Sequence, residues 1–355
     1  NRIINGDMRI DQRNAGGSVT PTTDSTYAVD RWCARLTQAS KFSIAQNAGS
    51  VTPPSGFTKY IGATSLSSFS VGAGDFFGIE QRIEGQNIED LAWGTAGAKT
   101  VTLSFWVRSS LTGTFGGVFN NGGIVGAARS YPFTYAISSA NTWEQKTVTV
   151  NGDTSGTWIT TNGLGLQVIF ALGVGTTYST TAGSWTGGNA SIGGYVSATG
   201  ATSVVGTNGA TLYITGVQLE AGSTASDFER RPIGTELQLC QRYYQRRLGE
   251  AYNTGAIGMA YSATAAYAPT SFFQEMRIAP AIGLCAVGSA INTMSFMNVS
   301  ASHPSTIGTI VATGITVHGF QYQVSGYSSA PWTAGSATLL YRYLSGEVWN
   351  ASAEL

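Results

Sequence analysis

The sequence predicts an all-β chain: two β-sandwich, jelly-roll-like domains joined by one short α-helix. Charged residues make up only 11 % of the 355 residues, against roughly 25 % in an average soluble protein. Gly supplies 46 positions and aromatics 11 %. That share of aromatic side chains argues for a packed core rather than a disordered Gly-rich chain. Short runs rich in β-branched and aromatic residues recur between Gly, Asn and Ser/Thr punctuation, and almost no helical period intervenes, which is the pattern of a sandwich or jelly roll.

The elements follow in order. Residues 100–108 (TVTLSFWVR) place Val101, Leu103, Phe105 and Val107 on one face and Thr102, Ser104, Trp106 and Arg108 on the other, the period of a strand with one buried face. Residues 143–150 (WEQKTVTV) repeat this and stop at Asn151-Gly152, a strong turn dipeptide. Residues 165–172 (GLQVIFAL) and 211–219 (TLYITGVQL) read as further strands. A helix is predicted over 235–247. Thr235 and Gln238 have capping-box spacing, Leu237, Cys240 and Tyr244 share a face, and Arg246 and Arg247 suit the last turn before Gly249. This sets domain limits of 1–232 and 250–355, with a linker helix at 233–249. The second domain has strand candidates at 257–263, 294–299, 309–317, 320–324 and 337–343. No repeat of propeller, solenoid or β-helix period is present.

Composition excludes several functions. Nineteen basic and nineteen acidic residues cancel, so no broad field recruits nucleic acid or anionic lipid. No apolar run reaches a membrane span and no signal-peptide pattern opens the chain, so membrane insertion is not expected. Cys33, Cys240 and Cys285 are widely spaced and read as buried free thiols. His303 and His318 are the only histidines, with few carboxylates nearby in sequence, too little for a His-based triad or metal site. No cofactor, metal or catalytic residue is predicted. Residues 94–100 (GTAGAKT) lack the glycine that a phosphate loop needs before its lysine. A glycan-degrading enzyme remains an alternative, and it would use Glu80, Glu84, Asp30 or Asp153. In residues 80–94 (EQRIEGQNIEDLAWG), however, Glu80 and Glu84 alternate with Ile79 and Ile83, which predicts that both glutamates lie on a solvated strand face.

Aromatics set in small polar loops are the positive signal for a ligand. Trp185 and Tyr195 lie in SWTGGNASIGGY, and Tyr327 and Trp332 in GYSSAPWT. Sugar rings carry apolar C–H faces that suit such rings beside hydroxyl donors. The Arg-rich stretch Arg230, Arg231, Arg242, Arg246 and Arg247 reads as a polar interface between domains or subunits. Tyr243, Tyr244 and Arg246 are the expected subunit contacts.

Two segments carry a family resemblance. Residues 1–14 (NRIINGDMRIDQRN) with 27–32 (YAVDRW) resemble the start of β-sandwich modules of bacteriophage tail-fibre and other virion-surface proteins. Residues 212–246 resemble the segment that closes such a module, and 214–228 also resemble the last strand of carbohydrate-binding jelly rolls. The resemblance implies a non-enzymatic tail or head fibre on the virion surface, made in the host cytoplasm. It would bind host cell-surface polysaccharide for adsorption, contact other virion proteins, and form a homo-oligomer, with a trimer expected. A bacterial carbohydrate-binding or adhesin module is the alternative within the same fold, and a purely structural joint is another. Where carbohydrate-binding relatives carry an acid beside a structural calcium, Thr215 stands here, so calcium is not expected. The chain opens without Met in strand-like sequence, and an upstream anchor is one expectation. With the anchor on that side, the resemblance points to the loop 325–333 in the second domain as the receptor contact.

Overall fold

The computed structural model describes residues 1–355 apart from 125–126, 188–193, 250–252, 263–264, 285–293, 299–308, 326–336 and 343–345. The chain forms two compact units, Asn1–Glu236 with Leu355, and Leu237–Glu354. Nearly every regular element is a strand.

The first unit contains β1 (Thr26–Val29), β2 (Trp32–Leu36), β3 (Phe42–Gln46), β4 (Ile61–Ser65), β5 (Phe76–Glu84), β6 (Val101–Ser109) and β7 (Gly113–Asn120). It continues with β8 (Ser130–Ile137), β9 (Glu144–Val150), β10 (Leu164–Val174), the short β11 (Ser179–Thr180) and β12 (Ser197–Ala198), and β13 (Thr211–Ala221). Two antiparallel sheets carry the fold, in the orders β1-β2-β5-β10-β7-β8 and β3-β4-β13-β6-β9. One core joins them. Trp32, Phe77, Ile79, Val168 and Phe170 come from the first sheet, and Phe42, Ile61, Leu103, Phe105 and Ile214 from the second. This is a β-sandwich, and the alternation read at 100–108 holds, with Val101, Leu103, Phe105 and Val107 all buried in the core.

The outer face of β5 departs from expectation. Glu80 and Glu84 were predicted to face solvent, and both are buried. Glu80 accepts from Arg35 Nη1 at 2.6 Å and Arg82 Nε at 2.8 Å, and the Gln167 side-chain amide also donates to it. Strand β2 supplies Arg35 and β10 supplies Gln167, so the neighbouring strands of the sheet cover the carboxylate. Burial alone would disfavour the charge on Arg35, but Glu80 and Asp24 more than restore it and hold the guanidinium pKa above its usual value. Gln81, on the other face, is tied to the N-terminal segment by a reciprocal pair with the Ile4 amide (2.8 Å) and carbonyl (2.9 Å).

The helix α1 spans Ile233–Gln241, shorter than the predicted 235–247. Residues from Tyr244 form strand β14 (Tyr244–Gly249), so Arg246 and Arg247 are strand residues and not the last turn of a helix. Tertiary pairing overrides the helical spacing here. Six positions of β14 pair with the last strand of the chain, and the Ala353 amide donates to the Tyr243 carbonyl at 2.8 Å.

The second unit adds β15 (Asn253–Ser262), β16 (Ala265–Ser271), β17 (Ala281–Leu284), β18 (Met294–Asn298), β19 (Thr309–Thr313), β20 (Gly319–Ser325), β21 (Ala337–Arg342) and β22 (Gly346–Ser352). Its sheets run β14-β22-β17 and β18-β21-β15-β16-β20-β19. Trp349 is fully buried against Phe272 and Phe320. The strand predicted over 309–317 stops at Thr313, where Gly314 takes a left-handed turn at φ +57°.

Candidate functional site

The outer face of the five-stranded sheet carries an aromatic cleft. On β6, the face opposite the core presents Trp106 and Arg108. Trp106 stands directly across from Gln145 on β9 and from Thr215 on β13. Between Thr215 and Gln218 the register slips by a β-bulge. Gly216 sits in it at φ +60°, and a Cβ there would lie 2.5 Å from Phe57 Cζ and 3.2 Å from Trp106 Cδ1. Only glycine both accepts that dihedral cheaply and leaves room for the two rings. The result is a cleft of about 270 Å³ lined by Phe57, Trp106, Gln145, Asp227, Phe228 and Arg230.

Its walls hold one another in place. Phe57 and Phe228 meet edge to face at 5.3 Å. The Arg230 guanidinium lies over both rings, 4.7 Å and 5.5 Å from their centroids, and donates to the Gly56 carbonyl. Asp7 is 4.0 Å from Arg230 and is already paired with Arg9 at 2.5 Å. The floor and rim are unspent. Among the described residues the Trp106 indole, the Gln145 amide and the Asp227 carboxylate have no protein hydrogen-bond partner, while Trp106 is half-buried and the other two are exposed. Glu220, nearby on β13, is occupied by the protein itself, accepting from the Ser226 amide at 2.9 Å and its hydroxyl at 2.7 Å. Burial works to raise its pKa, and the Ser226 and Gln218 donors outweigh burial and lower it. Thr215 donates to the Lys59 carbonyl at 2.7 Å.

A second row lies two residues along β6. Arg108 rests 5.6 Å over the Tyr213 ring and donates from Nε to the Asn141 carbonyl at 2.9 Å. Tyr213 packs on Tyr60 at 5.2 Å, which meets Trp143 at 5.5 Å. Tyr60 and Tyr213 are buried, so this row supports the face more than it exposes rings. Burial, with help from Tyr213, pushes the Tyr60 phenol pKa up against the Val51 amide and Arg108.

Of the residues predicted to bind, the two that are described fall elsewhere. Trp185 is half-buried in a cluster with Trp93 (5.3 Å), Trp158 (5.4 Å) and Tyr131 (5.3 Å), and its indole donates to the Asn151 carbonyl at 2.7 Å. It anchors its loop. Tyr195 is half-buried, with its amide on Ser130 Oγ at 3.1 Å. Tyr327 and Trp332 lie outside the described residues, as does His303. Tyr243 and Tyr244 are buried within the chain, and Arg246 is half-buried on β14. Of the four carboxylates of the enzyme alternative, Glu80 is held by two arginines, Asp153 by Arg129 at 2.6 and 2.7 Å and Asp30 by Gln12 at 2.6 Å, and Glu84 is buried. The sequence marks none of the cleft residues as binding: it places Trp106 on the polar face of its strand and Arg230 at an interface between domains or subunits. A signal was present, since Trp106 is an aromatic on the polar face of an otherwise cleanly alternating strand.

No protein-family model matches the chain, and no curated protein does. Among solved structures, it is similar to the enzymatically active domain of tailspike protein 4 of bacteriophage CBA120 (12 % identity, TM-score 0.31), over 54 % of this chain and only 19 % of that one. It is also similar to a CBM4 structure (14 % identity, TM-score 0.30), over 61 % of this chain and 98 % of that one. A family 11 carbohydrate-binding module of a Clostridium thermocellum cellulosomal cellulase matches at 9 % identity and TM-score 0.29, over 58 % and 97 % of the two chains. The functional reading rests on the cleft itself.

Proposed function

We propose that the chain is a non-catalytic glycan-binding protein of a virion surface, and that its first unit holds the sugar in the Trp106 cleft. The carrying observation is the half-buried Trp106 ring beside the Gln145 and Asp227 side chains, which have no hydrogen-bond partner among the described residues. An aromatic floor takes the C–H face of a sugar ring, and a few fixed donors and acceptors orient its hydroxyls. Gln145 and Asp227 supply acceptors, and Trp106 and Arg230 supply donors. Hydrolysis by the common glycosidase route needs two carboxyl groups facing across the scissile bond. Among the described residues lining this cleft, Asp227 is the one carboxylate. The virion location is a proposal that rests on the resemblance carried by residues 1–14, 27–32 and 212–246, and the homotrimer one that rests on a composition with few charges and many aromatics, whose apolar patches subunits would cover. A bacterial adhesin would use the same cleft, and antibody labelling of purified particles separates the two.

The test is a polysaccharide panel read by affinity electrophoresis with the native chain, Trp106→Ala and, as a control, Trp185→Ala. Binding should fall at least tenfold in Trp106→Ala, roughly 1.4 kcal/mol or more, with its melting temperature little changed. Trp185→Ala should keep its affinity while melting lower. Full affinity in a folded Trp106→Ala would sink the cleft as the site. Tyr327→Ala and Trp332→Ala report whether the second unit adds a contact.

A further inference from the structure

We infer that the glycan taken by the Trp106 cleft is acidic, carrying carboxylate groups that Arg108 and Arg230 receive. The inference rests on the reading of this cleft as a glycan site and adds the ligand's chemical class. Trp106 is flanked by two guanidinium groups. Arg108 lies two residues along the same strand face, a displacement of about 7 Å at the usual strand rise. Arg230 lines the cleft together with Trp106.

The Arg108 charge has no carboxylate partner among the described residues, and that of Arg230 has only a shared one. Arg108 Nε is spent on the Asn141 carbonyl, which leaves its terminal nitrogens available. The nearest acid to Arg230 is Asp7, at 4.0 Å, and Asp7 is already engaged by Arg9 at 2.5 Å. One carboxylate therefore serves two guanidinium groups. Among the described residues lining the cleft Asp227 is the one open carboxylate, and Glu220 on the same face is taken up by Ser226 and Gln218.

Both arginines are also pre-positioned. Each is stacked on aromatic rings and tethered by one nitrogen to a backbone carbonyl, Arg108 to Asn141 and Arg230 to Gly56. Stacking fixes the plane of the guanidinium, so less side-chain freedom is lost when it meets a carboxylate. A neutral sugar would use the Trp106 floor, Gln145, Asp227 and a hydrogen bond from Arg230, and would leave both guanidinium charges without a counter-charge.

The experiment compares three acidic polymers, polygalacturonate, alginate and hyaluronan, each with its carboxyl-reduced form, which keeps the backbone and removes the charge. Neutral β-glucans complete the set. The native full-length chain should bind at least one acidic polymer about tenfold or more tightly than its reduced form, as hydrogen bonds to a charged group warrant. That preference should shrink as NaCl is raised. Arg108→Gln should erase most of the preference and leave binding to the reduced polymer intact, while Arg230→Gln, which also removes a donor from the cleft, should weaken binding to both forms and the acidic form several-fold more. Arg230 is exposed enough that its variant tests the idea even if Arg108→Gln folds poorly. Equal affinity for acidic and reduced forms, or a preference that survives both substitutions, overturns the inference. Binding to neutral glucans alone overturns it too, while the glycan reading stands. Binding to no polymer of either kind overturns both.

Discussion

Replacing Gly216 with alanine probes whether the bulge on β13 builds the cleft. At φ +60° an alanine sits in the left-handed region, which costs about 1–2 kcal/mol for a residue with a Cβ. Gly209 has φ +72° and open space, with no atom within 4 Å of where a Cβ would stand, so Gly209→Ala should show the dihedral cost alone. Gly216→Ala adds a contact 2.5 Å from Phe57 Cζ, too close to keep. Phe57 must then leave its edge-to-face partner Phe228, worth roughly 0.5–1.5 kcal/mol, and release the cation–π contact with Arg230, worth about 0.5–1 kcal/mol. The total reaches about 2–4 kcal/mol, and at roughly 2–4 °C per kcal/mol for a unit of this size the melting shift is readily seen by calorimetry. Glycan affinity should fall in Gly216→Ala and hold in Gly209→Ala. Equal losses of stability in the two variants, or full affinity in Gly216→Ala, would refute the role given to the bulge.

Glu80→Gln removes the counter-charge between Arg35 and Arg82 while preserving shape, and should cost about 3 kcal/mol because Arg82 loses its carboxylate and Arg35 keeps only the more exposed Asp24; a loss under about 1 kcal/mol in urea unfolding would show the network to be dispensable. Asp24→Asn touches the exposed edge of the same network and should cost at most about 1 kcal/mol by the same measurement. Acid should destabilise the chain: Glu144, through Lys146 and the Ser138 and Ser139 amides, and Glu220, where burial is outweighed by the Ser226 and Gln218 donors, have lowered pKa values. Their stabilisation is present above the ordinary glutamate range and is lost as pH falls through the lowered folded values. A melting temperature flat from about pH 5 to about pH 3 would contradict this.

What the sequence revealed and what it hid follow one physical line. Core alternation at Val101, Leu103, Phe105 and Val107 is a local pattern, and the sheet obeys it. The closing strand over 211–219 was legible for the same reason. Glu80 was misread because alternation says which face a side chain takes and nothing about what then covers that face; Arg35 and Gln167 arrive from strands 45 and 87 positions away. The helix over 235–247 was overextended because the chain turns at Tyr243 and continues from Tyr244 as a strand, once β22 offers a pairing edge. Loop aromatics such as Trp185 drew notice for their Gly-rich surroundings, yet a large ring in a loop is also the cheapest way to pin that loop to a core.

The cleft is invisible in sequence because its parts are scattered. Phe57 comes from the loop before β4, Trp106 from β6, Gln145 from β9, and Asp227, Phe228 and Arg230 from the segment after β13. Sheet register brings three of these elements together, setting Trp106 across from Gln145 on one side and Thr215 on the other. The bulge then does what a regular ladder cannot. It removes a Cβ at Gly216 just where Phe57 folds over, and Phe57 in turn stacks Arg230. A flat strand with any other residue there would push that ring away and leave Trp106 on an open surface. The binding face therefore depends on one departure from ideal strand geometry, placed beside the one aromatic that breaks the polar pattern of β6.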